Sequence, residues 1–264
     1  MYMSNGINLT HWIYVNLFKV PTWSKIDNPY AYVHRPSNTL LITVGDSWTY
    51  GDSLGKTKVR NGVDDTDYRL ANVYGNVMAE QLKSSWINLA LPGGSNSLMI
   101  SWLELLLAKD LNYAHIVCTI TLTESGRHED LQLIDRSLVT QQSVLEKIVT
   151  IAYGQIQTLA LRYPEIKFII GHNFTDSCGV TPVERSWLEI MLDKTIQNGT
   201  HIVISEHIDQ MNYESRFPDV FDIMDRASAR MDLLDSCAFS CSEDSRHPNE
   251  QGHAMWGKYL LGQI

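Results

Sequence analysis

The 264-residue chain is long enough for one large single-core domain, and no break in composition divides it. A hydrophobic share of 44% and a charged share of 19% exclude a disordered or fibrous protein. A net charge of -9, with 21 Lys and Arg and no long basic run, argues against a nucleic-acid surface, because phosphate binding needs clustered cations.

At the N-terminus, MYMSNGINLTHWIYVNLFKV lacks the basic start, apolar core and small-residue cleavage site of a secretory signal. No apolar run reaches the ~18 residues of a membrane span. A cytoplasmic protein without a membrane partner is the expectation. Residues 1–38 hold Trp12, Tyr14, Phe18, Trp23, Tyr30 and Tyr32 with little periodicity. They are read as an extension that packs its aromatics on the domain or on a second copy of the chain, with carbohydrate stacking the weaker reading.

From residue 39 to residue 264 the pattern is that of one domain, in which short apolar runs alternate with segments of helical period. Strands are predicted at Thr39–Val44, Trp86–Leu91, His115–Leu122, Ile166–Gly171 and His201–Ser205, rich enough in Val and Ile to be covered on both faces. The spacing predicts helices over Arg69–Lys83, Ser97–Lys109, Ser137–Tyr163, Val183–Thr195 and Pro218–Leu234. Pro164 stops the third, and a last helix begins at Pro248, a favourable first helical position. The expected fold is α/β: a three-layer α/β/α sandwich around a five-stranded parallel sheet.

Two serines compete for chemistry. Gly51-Asp52-Ser53-Leu54-Gly55 spells the Gly-x-Ser-x-Gly pattern of a nucleophile elbow, yet only Trp48, Thr49 and Tyr50 separate it from the preceding turn, too few for a core strand. Ser47 instead follows the run TLLITV directly, with Gly45 and Asp46 supplying the tight turn. A Gly-Asp-Ser turn alone is common. At the other end of the chain, Asp244-Ser245-Arg246-His247-Pro248 sets a carboxylate three residues before an imidazole, so that it can accept from Nδ1–H and leave Nε2 as a base. Serine needs such a base near neutral pH. Cys118 lies in an apolar stretch and reads as a buried thiol. Cys237 and Cys241 lie near His247, but no second pair with ligand spacing exists, so no metal is expected.

These blocks resemble the SGNH (GDSL-type) hydrolase superfamily, from about residue 39 to the C-terminus. The resemblance implies Ser47 as nucleophile, with its own backbone N–H in the oxyanion hole, and His247 and Asp244 as the rest of the triad. Asn88-Leu89-Ala90-Leu91-Pro92-Gly93 is similar to the second block and implies Gly93 as a further oxyanion donor. The family's third block, Gly-x-Asn-Asp, is replaced by Thr121-Leu122-Thr123-Glu124. Thr123 is thus the position-matched oxyanion donor, with Asn96 and Asn173 as alternatives. Asp46, Glu124, Arg127 and His172 follow strand ends, where open parallel sheets bind ligands, and are candidates for substrate contact; a simple pair with Glu124 is the stronger reading of Arg127, and a structural histidine is an equal reading of His172. The implied activity is hydrolysis of a small-molecule or glycan ester, such as a sugar O-acetyl group, through an acyl-enzyme and without metal or organic cofactor. The alternatives are a binding scaffold that has lost catalysis and an acyltransferase using the same triad.

Overall fold

The computed structural model describes residues 32–52, 54, 66–123, 142–173, 185–197, 237, 239 and 247–264. Strands β2 (Thr39–Gly45), β3 (Ser85–Ala90), β4 (His115–Leu122) and β5 (Ile166–His172) run parallel. A short strand β1 (Tyr32–Val33) pairs antiparallel with β3, which gives a five-stranded sheet in the order β1-β3-β2-β4-β5.

Strand periodicity divides the side chains between two cores. Leu40, Ile42 and Val44 of β2 enter one core with Ile87, Leu89, Cys118 and Ile120. Helices α4 (Asn96–Leu107) and α5 (Gln142–Arg162) close that face with Met99, Trp102, Leu103, Ile156 and Leu159. Leu41, Trp86 and Val117 enter the other core. It is closed by α1 (Ser47–Tyr50), α3 (Tyr74–Gln81), α6 (Trp187–Gln197) and α7 (Glu250–Leu261), with Trp48, Tyr74, Trp187 and Trp256 as the largest contributors. A further helix, α2 (Thr66–Asn72), precedes α3. Helices on both faces of a mostly parallel sheet make the fold an α/β/α sandwich. No described helix is long and apolar enough to cross a membrane.

Four predicted strands are present, and the predicted His201–Ser205 strand and Pro218–Leu234 helix lie outside the described residues. The fifth strand of the described sheet is β1, so the sheet is mixed rather than all parallel. It comes from the segment read as an extension, and local hydrogen bonds explain why it joins the sheet. Arg35 receives Ser84, Ser85 and Asn76 as partners, and Tyr32 Oη meets Tyr113 Oη at 2.8 Å. The single helix predicted over Arg69–Lys83 is broken at Val73, whose extended backbone (ψ 142°) turns the Tyr74 N–H onto Nδ1 of buried His253 at 3.3 Å. Pro248 precedes the last helix rather than opening it. Asn249 is the N-cap, its Oδ1 accepting from the backbone N–H groups of Gln251 and Gly252.

The order of the strands positions the site. β2 lies between β3 and β4, so the chain winds outward in both directions from it. The carboxyl end of β2 is therefore the topological switch point, the place where such sheets leave a crevice.

Candidate active site

β2 ends at Gly45 because the next turn packs directly onto it. A Cβ at Gly45 would stand 2.0 Å from Oγ1 of Thr49 and 3.0 Å from the Thr121 carbonyl oxygen. Close approach, rather than a special dihedral, demands glycine at this position. Asp46 then caps the single turn of α1, its Oδ1 accepting from the Trp48 N–H at 3.0 Å. Ser47 is the first residue of that turn and is 5% exposed. Gly51 ends it in the left-handed region (φ 82°), and the Gly51 N–H closes onto the Ser47 and Trp48 carbonyls.

The base arrives from the far end of the chain. His247 precedes α7, and Asn249 fixes the start of that helix by donating its backbone N–H to the Phe239 carbonyl at 2.8 Å. Two tryptophans help lock α7 to the body of the protein. Trp256 stacks on Trp187 (5.5 Å, 7°), its Nε1–H donates to Thr121 Oγ1 at 3.3 Å, and Trp187 Nε1–H donates to the Gly252 carbonyl at 3.0 Å. His253 sits fully buried between Tyr74 and Trp187, and burial, then the charge of His247, pushes its pKa down to about 3. The result is that Nε2 of His247 lies 2.9 Å from Oγ of Ser47, although 200 positions separate the two residues. Asp52 adds a carboxylate to this side, with Oδ2 3.8 Å from the same Nε2.

The opposite rim is built from the ends of β3, β4 and β5. Leu91 donates its N–H to the Gly45 carbonyl at 2.8 Å, tying the loop after β3 to the elbow. Pro92 and Gly93 form a turn closed by the Gly94 N–H on the Leu91 carbonyl, and Gly93 holds the positive φ (72°) that this turn requires. Asn96 spans from the start of α4 to β4 like a backbone partner: its Oδ1 accepts the Thr123 N–H at 2.9 Å and its Nδ2–H donates to the Thr123 carbonyl at 3.1 Å.

On this rim the side chains differ from expectation. Asp46 is 1% exposed and accepts from Thr123 Oγ1–H at 2.6 Å and from Asn173 Nδ2–H at 2.9 Å, besides its cap bond. It thus braces the elbow from inside. Thr123 directs its only hydroxyl proton at Asp46, so that proton is not offered to an oxyanion in this arrangement. The alternatives, Asn173 and Asn96, are also engaged, with Asp46 and the Thr123 backbone. His172 is 3% exposed, its Nε2 is in a hydrogen bond with Tyr153 Oη, and burial pushes its pKa down to about 4. Of the two readings of His172, the burial and the Tyr153 bond favour the structural one. Asp244, Glu124, Arg127, Ser53, Cys241 and the aromatics of residues 1–31 lie outside the described residues. Cys118 is buried as expected.

Asp52 is the site residue that sequence reasoning missed. It stands inside the Gly-x-Ser-x-Gly string set aside in favour of Ser47, and the signal available was the adjacent Gly51, which turns the chain back over the helix.

No family model matches the chain, and no curated protein matches it in sequence. Among solved structures it is similar to a carbohydrate esterase described as having divergent catalytic and non-catalytic binding functions, at 14% identity over 88% of this chain and 66% of that one, with a TM-score of 0.46. It is also similar to a putative lipolytic protein of the G-D-S-L family from Desulfitobacterium hafniense (11% identity, 85% and 99% covered, TM-score 0.38). A third is an acetylxylan esterase from Geobacillus stearothermophilus (13% identity, 88% and 95% covered, TM-score 0.38). The chain spans 66% of the length of the first of these.

Proposed function

We propose that this protein is a serine hydrolase of carboxylic esters, of the SGNH type, with Ser47 as nucleophile and His247 as general base. The observation that carries this reading is the 2.9 Å contact between His247 Nε2 and Ser47 Oγ at the switch point of the sheet. Nε2 takes the hydroxyl proton as Oγ attacks the ester carbonyl, then returns it to the leaving alcohol. Water repeats the sequence in reverse, freeing the acid. Asp244 is assigned to the Nδ1 side of His247, where a carboxylate holds the imidazole in the required tautomer.

The oxyanion is assigned to the backbone N–H groups of Ser47 and Gly93, with no side-chain donor from Thr123. A hole with one donor fewer raises the barrier by roughly 3 kcal/mol, on the order of a 100-fold slower enzyme. The expected substrates are neutral small-molecule or glycan esters, acetylated sugars among them, consistent with the acidic chain. No cofactor takes part. The reading of a binding scaffold with weak catalysis draws support from the same inward-turned Thr123, and acyl transfer differs only in the acceptor that replaces water.

Hydrolysis of p-nitrophenyl acetate by wild type and Ser47→Ala tests the proposal. Loss of turnover in the variant, with kcat/KM of the wild type falling on the acid side as an imidazole gains its proton, is the expected result. Turnover that survives Ser47→Ala removes the nucleophile from the scheme.

A further inference from the structure

We infer that Asp52 positions the water that releases the acyl group, accepting a hydrogen bond from the water's second O–H while His247 takes the first proton. The inference rests on the hydrolase reading above. Three observations support it. The Asp52 Oδ2 and the His247 Nε2 are 3.8 Å apart. A hydrogen bond is about 2.9 Å long, so one oxygen atom can sit within reach of both. Both side chains are reached by solvent, 27% for Asp52 and 15% for His247, whereas Ser47 beneath them is 5% exposed. Finally, the backbone of Asp52 is fixed on the nucleophile's own turn, its N–H donating to the Ser47 carbonyl at 2.9 Å. The backbones of Asp52 and of the nucleophile therefore belong to one hydrogen-bonded turn.

Oγ of Ser47 carries the acyl group after the alcohol has left. Water attacks the carbonyl carbon, forming the new C–O bond, and gives one proton to Nε2. The tetrahedral intermediate collapses as the bond from carbon to Oγ breaks, and Oγ recovers that proton from Nε2. The second water proton, directed at Asp52 until then, leaves on the acid. Water has two protons to direct in this way and an alcohol acceptor has one, so the loss of Asp52 should slow release by water more than release by an alcohol.

The experiment compares wild type, Asp52→Ala and Asp52→Asn, each checked for an unchanged melting transition, with p-nitrophenyl acetate in aqueous methanol. Acetate and methyl acetate are quantified, and acetyl-Ser47 is followed by intact mass. In Asp52→Ala we expect hydrolysis to fall about tenfold, the loss of one charge-assisted hydrogen bond, with methanolysis little changed and acetyl-enzyme accumulating. Asp52→Asn, which keeps one acceptor oxygen, should fall between the two. An unchanged ratio of methyl acetate to acetate overturns the inference, as does a loss in Asp52→Asn equal to that in Asp52→Ala, which would make charge alone responsible. No turnover of the ester by wild type, with acetyl-Ser47 absent from wild type and both variants, refutes the hydrolase reading as well. Acetylation at Ser47 with the ratio unchanged refutes the role of Asp52 alone.

Discussion

The two sides of Ser47 use their polar groups in opposite ways. On the base side, His247 and Asp52 present a nitrogen and a carboxylate to the space above the serine, and both are partly open to solvent. On the rim side, Thr123, Asn96 and Asn173 are 6%, 2% and 0% exposed and point their hydrogen bonds into the protein, at Asp46 and at the end of β4. The difference teaches that a residue's place after a strand does not make it a ligand group. In the proposed mechanism the first side moves protons, while the second holds the elbow still.

Substitutions can break this contrast. The largest effect is expected for His247→Ala, which should lower kcat/KM by about 10⁴-fold or more with a melting temperature close to wild type. A loss of less than tenfold would place the base elsewhere. Asp46→Ala should act the other way round. It leaves the Trp48 N–H, the Thr123 hydroxyl and the Asn173 amide without their buried acceptor, and should lower stability by about 3 kcal/mol or more in urea unfolding. Little change in the unfolding midpoint would show that Asp46 is not the brace.

The pH dependence of stability sharpens the same comparison, because each side carries a buried neutral histidine. His172 lies on the rim strand and His253 on the helix that follows the base, with pKa values pushed from 6.5 down to about 4 and about 3. Below about pH 6.5 the unfolded chain binds protons that the folded protein refuses. The stability from keeping these rings neutral is thus intact above that pH and is lost as the pH falls toward 4. For His172 the loss approaches about 3 kcal/mol at pH 4. His172→Gln should remove the rim's share of this slope and leave that of His253, as thermal melts at several pH values would record. The same slope in the variant would contradict a buried neutral ring at position 172.

The smallest effect is expected for Thr123→Val. It should cost about 1 kcal/mol of stability through the lost bond to Asp46 and change kcat less than about fivefold. A 100-fold fall in kcat at full stability would return Thr123 to the oxyanion hole.

Much of this was legible in the sequence, for identifiable reasons. Ser47 stood out because a run of apolar residues feeds it directly, and His247 because a carboxylate precedes it by three residues; both are local signals. Four parallel strands were legible because burial on both faces makes β2 to β5 rich in apolar residues. The two-residue β1 was too short for any period, and it is held by the contacts of Arg35 and Tyr32 rather than by its own pattern. Gly45 reads in the sequence as a turn residue, whereas the close approach of Thr49 is what requires it. Position also located Thr123 and Asn173 after their strands, but the direction of a side chain depends on which buried acceptor it meets, here Asp46. No local pattern marks Asp52, because its neighbour on the base side, His247, lies about three-quarters of the chain length away.

The most direct test of the account is labelling of the folded protein with a fluorophosphonate, followed by peptide mapping, in wild type and His247→Ala. Modification of Ser47 in the wild type, lost or greatly slowed in His247→Ala, is the predicted result. Modification of Ser53 instead, or no modification of a protein shown to be folded, would contradict the pairing of Ser47 with His247 as nucleophile and base.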